Sequence, residues 1–158
     1  MKSILTTVAA VLLSTTIIYA GGSHDGGHEV AAGEPGNKSD VTRTIKVKMY
    51  ETDDGEMLFE PTSVSVVRGE TIRFAIENAG ENEHEFVLDS YEKNQEHKAL
   101  MAKFPEMEHD DPNSIRLEDG EKGEIIWNFS NHGEFEFACL IPGHYESGMK
   151  GVLKVAAH

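Results

Sequence analysis

Three side chains near the C-terminus, Cys139, His144 and Met149, have the types and spacing that suit a metal ion with soft donors. The pattern is Cys-x4-His-x4-Met, and Pro142 and Gly143 predict a turn that brings the histidine back toward the thiol. Alternation along the segment that precedes Cys139 points this side chain inward. A thiolate, an imidazole and a thioether can therefore converge on one point.

A fourth donor is predicted at His84, which shares strand parity with Phe86 and Leu88 and so also faces inward. Two imidazole nitrogens and one thiolate in a plane, with a weak axial thioether, form a type 1 copper site. Sulfur favours Cu(I) and imidazole serves both oxidation states, so such a site can cycle between Cu(I) and Cu(II). Each residue alone would be read as a core residue, since buried cysteine and methionine usually pack as hydrophobes. Their joint occurrence favours copper.

A second set of soft donors lies outside this pattern. Met101, Met107 and His109 fall within nine residues, and His24 and His28 lie far upstream. Thioethers and imidazoles suit Cu(I), so an accessory copper site is one interpretation. The alternative is that Met101 packs a helix onto the rest of the fold while the other four side chains are solvated.

The elements that must position these donors are short strands. From Val41 onward, apolar and polar residues alternate with period two, and turn residues separate the runs. Such strands without intervening helices predict an all-β sandwich or barrel with antiparallel pairing. One insertion, residues 91–113, has helix formers up to Lys103 and a stop at Pro105. The candidate strands are 44–49, 57–60, 63–68, 71–77, 84–88, 114–117, 125–129, 134–139 and 151–156.

The N-terminus predicts export. Lys2 precedes an uncharged run from Ile4 to Ala20, which is typical of a secretory signal peptide over residues 1–20. The alternative, a membrane anchor, sits at the short limit for a span. We therefore expect a periplasmic mature protein with no membrane segment. Residues 21–40 are Gly-rich and predict a flexible arm, and residues 41–158 form the folded domain.

Composition bounds the function classes. The 158 residues include 14 Lys and Arg against 28 Asp and Glu, a net charge of −14. Removal of Lys2 with the signal changes this to 13 − 28 = −15. Such a chain lacks the basic surface that nucleic acids and anionic membranes require. Cys139 is the single cysteine, which excludes an intramolecular disulfide and a cysteine-rich zinc site.

The segment 133–151 resembles the C-terminal loop of cupredoxins, and the likeness extends back to residues 84–87. The resemblance implies a Greek-key β-sandwich and carries over the copper ligands His84, Cys139, His144 and Met149. Residues 21–36 and 100–113 are similar to those of periplasmic copper-resistance cupredoxins of the CopI type, which implies a role in copper resistance. One departure is Glu85, where plastocyanin-like proteins have an asparagine that braces the ligand loop.

Two related classes are excluded by residue type. Multicopper oxidases flank the cysteine with histidines, whereas Ala138 and Leu140 stand here, and a dinuclear purple centre needs two cysteines. We therefore predict a redox-active copper-binding protein with no catalytic residues; oxidation of Cu(I) is not excluded.

Two functions stay open at this point. The first is copper resistance. The second is electron transfer with a periplasmic redox protein, which needs an apolar docking patch beside the exposed ligand. Leu140, Ile141, Pro142 and Tyr145 are the candidates for such a patch around His144.

Overall fold

The computed structural model describes residues 30–105 and 111–157. A short 3-10 helix, Lys38–Asp40, separates the first two strands, and no helix in the described ranges is long and apolar enough to cross a membrane. The other elements are β1 (Glu34–Pro35), β2 (Arg43–Glu51), β3 (Met57–Glu60), β4 (Ser63–Val67), β5 (Thr71–Asn78), β6 (His84–Asp89), α1 (Tyr91–Met101), β7 (Ser114–Leu117), β8 (Lys122–Asn128), β9 (Gly133–Ala138) and β10 (Lys150–Ala156).

The strands form two five-stranded sheets. The first has the order β1-β8-β5-β2-β3 and the second the order β4-β10-β9-β6-β7. The predicted all-β sandwich with a helical insertion is thus confirmed, but the expectation of purely antiparallel pairing is wrong. β2 pairs with β5 in parallel, and so does β4 with β10. Alternation fixes which face of a strand is buried but not which strand lies beside it, so the sequence could not settle this.

The core lies between the sheets and follows from the alternation. Phe59, Phe86 and Phe137 pack with ring centroids 5.3 to 5.8 Å apart, in edge-to-face and stacked arrangements. Such aromatic pairs contribute about 0.5–1.5 kcal/mol beyond their buried area. Phe86 lies on β6 and Phe137 on β9, so this packing fixes the two strands that carry His84 and lead into Cys139.

The helix covers the outer face of the second sheet. α1 begins after Ser90, whose side-chain oxygen accepts the backbone N–H of Lys93 at 3.2 Å, and it ends before Pro105 as predicted. Every residue of β6 is buried because the core covers one face and α1 the other. A second, smaller cluster of buried residues lies on this outer face and consists of Val87, Met101, Ala138, Leu140 and Tyr145.

Residues 30–40, the described part of the predicted flexible arm, contact the folded domain. Val30 is 4% exposed and Ala32 is fully buried, and both belong to the main core. β1 pairs with β8, and Pro35 can sit there because β1 is an edge strand that needs no further donor. Residues 1–29, which include the predicted signal peptide and the first part of the arm, lie outside the described residues.

Candidate metal centre

The structure brings three of the four predicted ligands, His84, Cys139 and His144, to one point. The Nδ1 atoms of the two histidines lie 3.2 Å apart, and Cys139 Sγ lies 3.4 Å from His144 Nδ1. A first-row ion such as Zn²⁺, with bonds of about 2.0–2.3 Å to nitrogen and sulfur, places such atoms about 3.3–3.8 Å apart. The observed spacing is close to this range, so the donor set fits a single transition-metal ion.

The ligand loop, residues 139–149, joins β9 to β10 and is closed by backbone hydrogen bonds. The N–H of Cys139 donates to the carbonyl of Met149, and the N–H of Met149 donates to the carbonyl of His144, both at 3.1 Å. Gly143 and Gly148 adopt φ angles of 92° and 107°, which residues other than glycine rarely adopt. The turn predicted from Pro142 and Gly143 therefore does fold His144 back toward the thiol.

Burial controls the protonation of Cys139. The side chain is fully buried, and burial raises the pKa of the thiol to about 12, although the N–H groups of Glu85 and Ile141 act to lower it. The N–H of Glu85 lies 3.3 Å from Sγ. The free thiol is therefore neutral at pH 7, and a metal ion binds as its proton leaves.

Burial disfavours the charged form of the two histidines as well. Burial lowers the pKa of His84, and burial together with repulsion from a protonated His84 lowers the pKa of His144. His84 is fully buried at the start of β6, whereas His144 is half-buried. Both imidazoles can thus offer a lone pair without first losing a proton.

Sequence reasoning missed Glu51, the last residue of β2. Its Oε1 atom lies 3.0 Å from Nε2 of His84. Burial acts to raise the pKa of Glu51, but hydrogen bonds from Asn82 and Glu81 outweigh it and lower that pKa to about 2. The residue stands 33 positions before its histidine in an acidic stretch, so no local spacing marked it.

Glu85, which stands where plastocyanin-like proteins have an asparagine, is hydrogen-bonded to the ligand loop. Its side chain is buried, and its carboxyl group accepts a hydrogen bond from the backbone N–H of Leu140. Burial raises the pKa of Glu85, while Arg116 and Leu140 act against the rise. Glu85 therefore ties β6 to the loop from the side chain and, through its own N–H, from the backbone.

Met149 is fully buried in the same core cluster as Cys139. Its backbone carbonyl fixes Cys139, as described above. The axial ligand role of its thioether stays a prediction.

Met101 is the one accessory donor that lies among the described residues. Met101 is fully buried in the apolar cluster with Val87, Ala138, Leu140 and Tyr145, which is the packing alternative. The other four candidates, Met107, His109, His24 and His28, lie outside the described residues, and their copper role stays a prediction.

The predicted apolar patch is smaller than expected. Leu140 is fully buried and Tyr145 is 8% exposed, because both pack under α1. Only Pro142, which is exposed, and Ile141, which is half-buried, are left beside His144. The helical insertion thus removes half of the proposed docking surface.

Two sheets packed face to face, with a His-Cys-His donor set at one end, define a single-domain copper protein of the cupredoxin class. The family model described as "Copper binding proteins, plastocyanin/azurin family" matches residues 45–156, and the chain belongs to this family. The cupredoxin resemblance and copper as the cofactor are thereby confirmed.

The chain is similar over nearly its full length to two copper-resistant cuproproteins. The chain is 40% identical over 163 aligned residues to the copper-resistant cuproprotein CopI of Rubrivivax gelatinosus, covering 98% of this chain and 96% of the relative. It is 31% identical to CopI of Pseudomonas aeruginosa, covering 93% and 94%.

Solved structures support the fold. Auracyanin B superimposes with a TM-score of 0.62 at 22% identity, covering 79% of this chain and 96% of that one. The reduced auracyanin of Roseiflexus castenholzii superimposes with a TM-score of 0.61 at 23% identity, covering 73% and 98%.

Proposed function

We propose that the chain is a periplasmic cupredoxin of copper resistance that holds one copper ion through His84, Cys139, His144 and Met149. The observation that carries this proposal is the close approach of two imidazole Nδ1 atoms and one thiol sulfur. The near full-length likeness to CopI supports the role in copper resistance. The uncharged run after Lys2 supports export.

The chain's contribution is to hold the donors in place in both redox states. Bound copper supplies one-electron exchange between Cu(I) and Cu(II). Cys139 gives a thiolate once its proton is released, and the neutral histidines supply the two nitrogens. Strands β6 and β9 and the closed loop keep these atoms near their final positions, so little rearrangement accompanies a change of oxidation state.

The surface charge favours the arrival of a cation. Asp53, Asp54 and Glu56 are exposed on the turn between β2 and β3. This turn adjoins the ligand loop, because the N–H of Met57 donates to the carbonyl of Ser147 at 3.1 Å. A net charge of −14 adds a long-range attraction for metal cations and basic proteins.

Copper titration with visible absorption tests the ligand set. We expect the purified protein to develop an intense band that saturates at one Cu(II), because the thiolate supplies the charge transfer. Cys139→Ser should abolish the band, and His84→Gln and His144→Gln should weaken or lose it. The exposed His132 offers a matched control, since His132→Gln should leave the band intact. A band that persists in Cys139→Ser would refute the ligand assignment.

The role is tested in cells. Deletion of the gene should make its host sensitive to copper, and the wild-type protein, but not Cys139→Ser, should restore growth. Fractionation and N-terminal sequencing of the exported protein should place it in the periplasm with a new terminus after Ala20. Equal copper tolerance with and without the gene would argue against a resistance role.

Electron transfer is the second candidate. It is favoured by the exposure of Pro142 and the partial exposure of Ile141 beside the half-buried His144. A carrier would bind one copper and no more, whereas additional copper bound after the band saturates would favour copper handling. The stoichiometry in the titration therefore separates the two functions.

A further inference from the structure

Hydrogen bonds from the turn before β6 hold the Glu51 carboxylate in place. Oε2 accepts the N–H of Glu81 at 2.9 Å, and Oε1 accepts the N–H of Asn82 at 3.0 Å and its Nδ2 group at 2.6 Å. A Cβ atom at Gly80 would overlap the carboxylate in its present position, so the absence of a side chain at residue 80 leaves room for it under the turn before β6. The carboxylate is a rigid part of the site.

The Glu51 carboxylate contacts His84 at the ring nitrogen that points away from the other ligands. Its Oε1 atom lies 3.0 Å from His84 Nε2, while the opposite ring nitrogen, Nδ1, faces His144. An ionised carboxylate only accepts hydrogen bonds, so Nε2 must carry the proton of the neutral ring. Nδ1 then keeps its lone pair on the side where the thiol and the second imidazole converge.

We infer that Glu51 is a positioning residue that locks His84 in the Nε2–H tautomer and favours Cu(II) over Cu(I) at the site. The inference rests on the proposed copper site. A carboxylate on the second nitrogen of a ligating histidine fixes the ring and raises its basicity. It also places a full negative charge one imidazole ring away from the donor atom, which stabilises the more highly charged ion.

Two substitutions separate the tautomer from the charge. In Glu51→Gln, the amide oxygen should stay at the Oε1 position, because three donors converge there, and His84 keeps its acceptor. Only the charge is lost, together with the bond from Glu81. In Glu51→Ala, His84 loses the acceptor as well. Glu124→Gln is the matched control, since this exposed carboxylate on β8 of the first sheet pairs with Lys38 and Arg73.

Nitrogen NMR of the copper-free protein reads the tautomer directly. We expect the Nε2–H form of His84 in the wild type, in Glu51→Gln and in Glu124→Gln, and a mixture of both tautomers in Glu51→Ala. Chemical shifts of the core methyl groups check that each variant is folded. A single Nε2–H tautomer in folded Glu51→Ala would overturn the positioning role.

Copper affinities test whether the negative charge of Glu51 favours Cu(II) over Cu(I). Competition with chelators selective for Cu(I) and Cu(II) should show that Glu51→Gln loses about tenfold or more in Cu(II) affinity relative to Cu(I). Each tenfold change corresponds to about 59 mV in the one-electron potential, which voltammetry measures independently. An unchanged affinity ratio in Glu51→Gln would overturn the charge effect. Absence of the intense band in the wild type would instead refute the copper site itself, so the two failures are distinguishable.

Discussion

Substitution of Met101 tests whether this side chain of the helical insertion packs in the core or binds copper. The side chain is fully buried at the end of α1, against the sheet face that leads into the ligand loop. Met101→Ala removes three non-hydrogen atoms from this cluster. At about 0.8 kcal/mol for each buried methylene-sized group, the transfer loss alone is about 2.4 kcal/mol. An unfilled cavity adds to this, so the expected cost lies within about 2–5 kcal/mol.

Urea unfolding of the copper-free protein measures this cost. A slope of about 1–3 kcal/mol/M is typical of small proteins, so the midpoint should fall by about 0.7 M or more. Met101→Leu conserves volume and should cost less than about 1.5 kcal/mol. Leu100→Ala is the control, because this neighbouring side chain is 41% exposed and its loss should change stability by only about 0.5 kcal/mol.

The copper count decides between packing and ligation. If Met101 only packs, Met101→Leu binds as much copper as the wild type. The reasoning is refuted if Met101→Leu loses an equivalent of copper, or if Met101→Ala unfolds at the wild-type urea concentration.

Two further predictions concern the ligand loop. Met149→Leu should keep the intense band and raise the reduction potential, since the axial sulfur tunes it; an unchanged potential in voltammetry would point to another axial group. Tyr145 O–H donates to Glu136 Oε1 at 2.8 Å, so Tyr145→Phe should lose about 1.5–3 kcal/mol in urea unfolding. Burial and Glu136 raise the pKa of Tyr145, so its contribution is full below about pH 10 and declines above it. A fall in stability above pH 10 that is as steep in Tyr145→Phe would contradict this.

Much of the fold was predictable because alternation is local information. β3 and β7 begin and end at the predicted residues, and the inward parity of Cys139 and His84 follows from the same rule. The ligand loop was predictable because its donors lie within eleven consecutive positions, with glycine and proline at the turn.

The missed features depend on contacts between distant segments. Glu51 resembles any acidic residue at the end of a strand until the turn before β6 closes over it. Val30 and Ala32 were hidden by their Gly-rich surroundings, yet both are buried in the core beside β1, which pairs with β8. Burial of Tyr145 required knowing that α1 folds back over the loop.

The position of β10 has a consequence for when the site can form. This last strand lies inside the second sheet, between β4 and β9, and its pairing with β4 joins segments nearly ninety positions apart. Contacts between such distant segments are slow to form, because a long loop must close before they stabilise anything. Until β10 enters, β4 has no neighbour in its sheet and the end of the ligand loop is not held. The donor set is therefore completed only after β10 has entered the second sheet, and before that step the thiol has no preformed site in which to capture metal.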